Sequence, residues 1–572
     1  MPGRYTRAGI GALLLLAFVG MAPLGAASNY IVSGVVVDSR SRTPLPHAMV
    51  SLAPITARER KLEQVTKQDG RFSFPVNEPG KYELSLIKPG YPRQDYKQDG
   101  FSGAASAIAV RDGQDTTHIV FEAARGGTIT GVVKDEGSEP VGNAQVAIFQ
   151  SAVVGGNRRM VTRGQLRANA VGEFRLSNLP RGDYYVCAMG RPWFADSVTQ
   201  LQDIQDRARM VGRARAAVRA NPEEQEEPPA LTFSPDPVLR GTALLPTFYP
   251  NARSADQAAP IRLDTGGEAQ VSIVLPFTAA VSVRGTLSVP GEVSGGRVIL
   301  LKRVYDESVL FLEQWVGKNK TFQFQNVPPG SYEILASSQA DSGASSWAIL
   351  EQVEVGASDM EVTLRPQPFG SLSGRVLFEG EHPAPAASLL ITLRDERGGL
   401  LRAEVNPEGG FSLSRLLAGR YEVTAGNTDY IAECFRGPAG ERLPLTLTIS
   451  AGENVWRDLT LTRAVSVIEG TVEKAGVPQV GAFVLLMPKN ATEQWAYRID
   501  QTDSDGSYGL QLIPSGDYFL IALNDGDGIV YRDAKVAARL SKVAKLVHVE
   551  PGDHLELKMD VVSATNLALS SL

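Results

Sequence analysis

Cysteine and histidine are scarce in this 572-residue chain, at two and five residues. Cys187 and Cys434 lie far apart, so there is no framework of the disulfides that hold small extracellular domains together. Each reads instead as a buried thiol on a strand. His47, His118, His382, His548 and His554 are dispersed, whereas a zinc centre needs convergent ligands. Only His548 and His554, flanking a Pro-Gly turn, could approach one another, and no third ligand accompanies them. A Gly-x-Ser-x-Gly nucleophile turn is missing, as is a glycine-rich phosphate loop opening a helix. Neither sign of charge dominates: the net charge of −6 argues against a nucleic-acid partner. These absences lead us to expect no catalytic residue, no cofactor and no bound metal.

The start of the chain reads as a processing segment. Arg4 and Arg7 form a basic flank, Ile10 to Val19 an apolar core, and Gly25-Ala26-Ala27 a small-residue cleavage site. The core is short for a membrane anchor, so residues 1–27 are expected to be a signal peptide removed before Ser28. Beyond it no apolar run is long enough to cross a bilayer. The expected location is secreted, periplasmic or cell-surface.

An internal repeat dominates what remains. Five strands open around a glycine: Gly34, Gly131, Gly285, Gly374 and Gly470. Between 37 and 43 residues later stands an aromatic, at Phe72, Phe174, Phe322, Phe411 and Tyr508. Ten residues beyond each comes Tyr82, Tyr184, Tyr332, Tyr421 or Tyr518, always preceded two residues earlier by Gly80, Gly182, Gly330, Gly419 or Gly516. The aromatic starts an alternating strand, the glycine permits a turn, and the tyrosine begins the return strand. Several such strands in about 90 residues make a β-sandwich. The fold class is therefore all-β, with five tandem sandwiches: 28–125, 126–280, 281–367, 368–463 and 464–562, then a tail, 563–572. The connections are short, which predicts a semi-rigid end-to-end array, each unit adding roughly 30–40 Å.

The second unit carries an insertion at about 190–243. Val198, Leu201, Ile204, Ala208, Val211 and Val218 form a helical stripe beside Arg207, Arg209, Arg213, Arg215 and Arg219. An acidic stretch, Glu223-Glu224-Gln225-Glu226-Glu227, follows. Such a helix can contact an anionic membrane or a partner through Arg207–Arg219. It can equally pack on its own sandwich with the arginines in water, and the modest stripe favours that reading.

The repeat resembles the carboxypeptidase regulatory-like domain, a prealbumin-like sandwich related to the Cna B-type repeats of bacterial surface proteins. The likeness rests on the opening Gly-Val-Val strand, on Pro140-Val141-Gly142-Asn143-Ala144-Gln145-Val146, on the Asp-Gly turns before Phe72 and Tyr508, and on the Pro-Gly-x-Tyr turns at Pro79 and Pro329. It implies an Ig-like fold used as accessory module, stalk or ligand-binding domain, and it implies no peptidase activity. The Cna B-type isopeptide glutamate is missing: Leu86, Ala188, Ala336, Ala425 and Ala522 stand four residues past the tyrosines.

Two further features bear on ligands. Asp503/Asp505 and Asp525/Asp527 alternate as calcium ligands do, although Asp-Gly is also the ordinary hairpin choice, and the hairpin reading is preferred. Trp456 should face outward from the last strand of the fourth unit, either to stack on a sugar or to cover a neighbouring domain. The expected function is a non-catalytic extracytoplasmic scaffold with a protein or polysaccharide partner; the alternative is a multivalent carbohydrate binder on a carbohydrate-binding-like fold.

Overall fold

Valine, phenylalanine and tyrosine at alternate positions, punctuated by Gly, Pro, Asn and Asp, produce strands almost throughout. The computed structural model describes residues 30–98, 105–192, 241–289, 296–305, 307–316, 318–338, 348–378, 389–395, 399–427, 429–490, 494–524, 526 and 528–567. Among these the protein is β-sheet with one seven-residue α-helix, Ala534–Leu540, capped by the Asp533 carboxylate. The expected signal peptide, the arginine-rich helix near 198–219 and the Asp525/Asp527 pair lie outside the described residues.

One pairing scheme occurs five times. An opening strand (Tyr30–Asp38, Gly127–Asp135, Val281–Leu287, Gly370–Phe378, Ser466–Lys474) pairs antiparallel with an aromatic-bearing strand (Arg71–Val76, Glu173–Leu179, Thr321–Val327, Gly410–Leu416, Ser507–Ile513). Its other edge pairs in parallel with a closing strand (Thr116–Ala123, Glu268–Leu275, Met360–Leu364, Asp458–Arg463, Met559–Val562). The facing sheet contains the tyrosine strand (Gly80–Lys88, Gly182–Met189, Gly330–Ser338, Gly419–Gly426, Gly516–Leu523). In the first three modules the opening and facing sheets stay separate, and the second adds a two-stranded ribbon, Thr242–Leu244 with Phe277–Ala279. In the fourth and fifth the closing strand also joins the facing sheet, giving a half-barrel.

The register explains the repeated residues. Gly34 lies opposite Phe72, Gly131 opposite Phe174, Gly285 opposite Phe322, Gly374 opposite Phe411 and Gly470 opposite Tyr508. A Cβ at Gly131 or Gly285 would strike the partner's ring, at Gly34 the Ile119 carbonyl of the closing strand, and at Gly374 or Gly470 the Arg457 or Leu557 carbonyl just ahead of the closing strand. At Gly131, Gly285 and Gly374 the aromatic ring fills the space that the glycine leaves. The tyrosines close the corner: their hydroxyls donate to the carbonyl four residues upstream, Glu78, Pro180, Pro328, Leu417 and Pro514, at 2.5–2.9 Å. Gly80, Gly182, Gly330, Gly419 and Gly516 hold φ of +144 to +159°, a region that side chains resist. The structure thus gives both halves of the motif a mechanical role.

Two modules bury both faces of a sheet. In Gln145–Val154, Val146 and Ile148 face the second module's own core, while Ala147 and Phe149 meet the third module. There Tyr305 packs edge-on against Phe149, Tyr185 and Phe248 at 5.1–6.1 Å. In the fifth module every residue of Phe483–Pro488 is buried, because Ile529, Tyr531, Val536 and Leu540 cover its outer face.

The end-to-end array expected from the short connections is not what the structure has. Ser106 and Ala107 of the first module hydrogen-bond to Thr502 and Asp503 of the fifth. Tyr531 of the fifth module also packs on Gly156 of the second, whose carbonyl accepts from the Arg532 backbone N–H at 3.2 Å. A short connection fixes the distance between neighbours but not the direction in which the chain turns. Apolar outer faces and complementary polar turns decide that.

Candidate interaction surfaces

Trp456 ends the short strand Asn454–Trp456 with 58% of its surface exposed. Its Nε1 donates to Asp458 Oδ1 at 3.1 Å, and the same oxygen accepts from the Arg375 backbone N–H at 3.0 Å. The ring edge is therefore pinned on an outward-facing surface. Such a ring can stack on a sugar or an apolar side chain.

A second exposed tryptophan was not singled out in the sequence. Trp315, 60% exposed, lies opposite Arg297 on the edge strand Glu307–Val316. Arg297 grips Glu313 through two bonds of 2.6 and 2.7 Å, holding that carboxyl below its usual range with help from Arg167. Glu313 lines a cleft of about 200 Å³ at the seam of the second and third modules, with Asn143, Gln145, Arg167 and Arg191. Gln145 Nε2 ties the seam by donating to the Phe311 carbonyl at 3.2 Å. The alternation Glu313-Gln314-Trp315-Val316 could have flagged this ring, since Val316 is buried and Trp315 is its out-of-phase neighbour.

The Asp503/Asp505 turn links Arg498–Gln501 to Ser507–Ile513, strands that pair with different partners, and the Asp503 N–H closes it by donating to the Ser507 carbonyl at 2.8 Å, with Gly506 at φ +78°. Both carboxylates have protein partners. Asp503 pairs with Lys81 at 2.6 Å and accepts from the Ala107 N–H at 2.9 Å; Asp505 pairs with Arg111 at 2.7 Å. Burial raises the Asp505 pKa, but the Ser507 hydroxyl and N–H and Arg111 together bring it below its usual value, whereas burial dominates at Asp503 and raises it. Asp500, behind them, is pushed up to about 6, chiefly by burial and further by Asp503, although the Gly509 and Gln501 N–H groups and Lys81 oppose this. The calcium-like spacing thus serves contact between modules.

The first and second modules meet at a smaller contact. The Gly126 N–H donates to the Gly90 carbonyl at 3.0 Å and the Gly266 N–H to the Arg125 carbonyl at 2.9 Å; on the first module's side Arg125 lies 5.7 Å from the Tyr91 ring centroid and Tyr91 donates to Asp38 at 2.9 Å.

His548 and His554 engage different carboxylates, Asp517 at 2.8 Å and Glu469 at 2.6 Å. Among the described residues no group of three or more His, Cys, Asp or Glu could hold a metal ion. Cys187 and Cys434 are buried thiols on strands, as expected, and burial pushes the Cys187 thiol up to about 12. No helix among the described residues is long and apolar enough to cross a membrane.

Residues 31–122 match the carboxypeptidase regulatory-like domain. No curated protein matches the chain. Among solved structures it is similar to the Bacillus anthracis TIE protein, at 10% identity over 77% of this chain and 76% of that one, with a TM-score of 0.17. GBS52, the minor pilin of Streptococcus agalactiae, gives 13% identity over 35% of this chain and 100% of its own, with a TM-score of 0.20. The RrgB pilus protein of Streptococcus pneumoniae gives 7% over 76% and 98%, with a TM-score of 0.14. At such scores the whole chains do not superpose.

Proposed function

We propose that this chain is a non-catalytic extracytoplasmic scaffold of five carboxypeptidase regulatory-like sandwiches that holds binding surfaces in a fixed arrangement. The observation that carries the reading is the use made of its charged and aromatic clusters. Asp503, Asp505, Lys81 and Arg111 join modules, while Phe149, Tyr185, Phe248 and Tyr305 form a seam. Groups that elsewhere do chemistry here fix geometry.

The module limits are those at 28, 126, 281, 368 and 464. The family match to residues 31–122 supports the first, and the fivefold pairing scheme supports extending the likeness to the rest. The N-terminal segment supports export. Cell fractionation with N-terminal sequencing tests this: mature protein beginning near Ser28 outside the cytoplasmic membrane is expected, and an uncleaved cytoplasmic chain would refute export.

The exposed, pinned ring of Trp456 favours a second reading, in which the modules bind carbohydrate and weak sites gain avidity together. A polysaccharide and glycan screen of residues 28–572, beside a chain lacking 190–243, separates the two. Binding that survives the deletion and is lost in Trp456→Ala assigns carbohydrate recognition to the sandwiches. Absence of binding leaves the scaffold, with protein partners to be sought at the arginine-rich insertion.

A further inference from the structure

The first module presents a socket made of Lys81, Lys97 and residues 106–111, and the fifth presents a plug, Gln501–Asp505. Directional polar bonds join them. Ser106 Oγ donates to the Thr502 carbonyl at 2.7 Å, and the Ala107 N–H donates to Asp503 Oδ1 at 2.9 Å. The Ser504 N–H donates to the Ala107 carbonyl at 2.9 Å, and the Ala109 N–H donates to Ser504 Oγ at 3.0 Å. Gln501 Nε2 donates to the Lys97 carbonyl at 2.5 Å, and the Lys81–Asp503 and Arg111–Asp505 ion pairs flank the rest. Contrast the seam of the second and third modules, where Phe149, Cys187, Met189 and Phe248 belong to one continuous apolar core with the third module. A small polar contact between modules is the kind that opens reversibly.

Plug and socket are unlike patches near opposite ends of one chain, and their contact is heterologous in kind. None of the seven interactions depends on the two sides belonging to the same molecule. The charges are complementary, two cations on the socket against two carboxylates on the plug. We propose that the socket is also a docking site for a second copy of this chain, which inserts its Gln501–Asp505 plug when the resident plug has withdrawn. Linkage within the chain gives the resident plug a high effective concentration and keeps the closed monomer dominant. Two opened chains that exchange plugs fill both sockets and form a closed pair.

Complementation between two disabled full-length mature chains tests this. Lys81→Glu/Arg111→Glu destroys the socket and spares the plug. Asp503→Asn/Asp505→Asn weakens the plug and spares the socket. Since Asp503 also receives a bond from Ser507 within its own turn, Ser504→Arg serves as a second plug variant that blocks insertion by size and by like charge against Lys81 and Arg111. Alone, each variant should keep the single-chain mass by light scattering and show a radius of gyration above wild type by small-angle scattering. Mixed in equal amounts, a socket variant and a plug variant share one intact plug and one intact socket, and the mass should double. A mixture that stays at single-chain mass would overturn the proposal. So would variants whose radius of gyration equals wild type, or a doubled mass when the socket variant is mixed with a chain carrying both sets of substitutions.

Discussion

Removing one oxygen atom from the third module probes the tyrosine corner most directly. Tyr332 is 2% exposed, and its hydroxyl donates to the Pro328 carbonyl at 2.9 Å. Tyr332→Phe keeps the ring, its packing against Phe311 and the Lys302 ammonium 4.5 Å from its centroid. What it loses is the bond, and what it leaves is a buried carbonyl short of its partner. That combination costs about 1–3 kcal/mol. With a urea dependence of roughly 2 kcal/mol/M, the midpoint for this module should fall by about 0.5–1.5 M. Because five modules contribute to any whole-chain signal, the assay is hydrogen exchange by mass spectrometry against urea, following peptides from Thr321–Val327 and Gly330–Ser338. Peptides of the fourth module serve as the internal reference. A midpoint unchanged within 0.1 M (about 0.2 kcal/mol at that slope) would show that the hydroxyl is a passenger and that Gly330 alone shapes the corner.

Four further outcomes are expected. Gly131→Ala drives a methyl into the Phe174 ring and the Val271 side chain and should destabilise the second module by about 1–3 kcal/mol, read by the same exchange measurement. Gly80→Ala, with open space around its Cβ, should cost only the strain of its φ of +153°, about 1–3 kcal/mol, and its loss should be unaffected by truncating neighbours. The Asp500 carboxyl is raised to about 6, so the fold favours its protonated form; that contribution is present below the ordinary carboxylate range and is lost as pH rises through 6. Asp503 acts in the same sense and Asp505 in the opposite one at lower pH. The fifth module should therefore be less stable at pH 7 than at pH 5, and an equal slope in Asp500→Asn would refute the assignment. Finally, a thiol reagent at pH 8 should label neither buried cysteine in the native chain and both in guanidinium, since burial holds Cys187 far from its thiolate.

Local features of the fold were legible because they follow from residues close in sequence or from a repeated spacing. Gly–x–Tyr turns, alternating strands and the glycine-centred opening strands announce themselves, and the register then shows why the spacing holds: Gly131 and Phe174 are partners across a sheet. The arrangement of the modules was not legible, although its traces were present. Val146-Ala147-Ile148-Phe149 and Phe483-Val484-Leu485-Leu486-Met487 do not alternate, which is how strands covered on both faces read. What covers them, Tyr305 in one case and Val536 with Leu540 in the other, depends on contacts that no periodicity encodes. The Asp503/Asp505 turn illustrates the same limit: its charges were visible, but Lys81 and Arg111 lie about 400 residues away.

The parallel pairing of opening and closing strands has a mechanical consequence. In the first module Gly34 to Asp38 run alongside Ile119 to Ala123, and in the second Thr128 to Asp135 run alongside Glu268 to Leu275. Tension enters such a module at the start of its first strand and leaves at the end of its last. Those two points lie at opposite ends of the same ladder. The load is then shared by all of its hydrogen bonds in shear, and none can be unzipped before the next. A chain stretched between two anchors would yield first at its polar contacts between modules, and only at higher force within a sandwich.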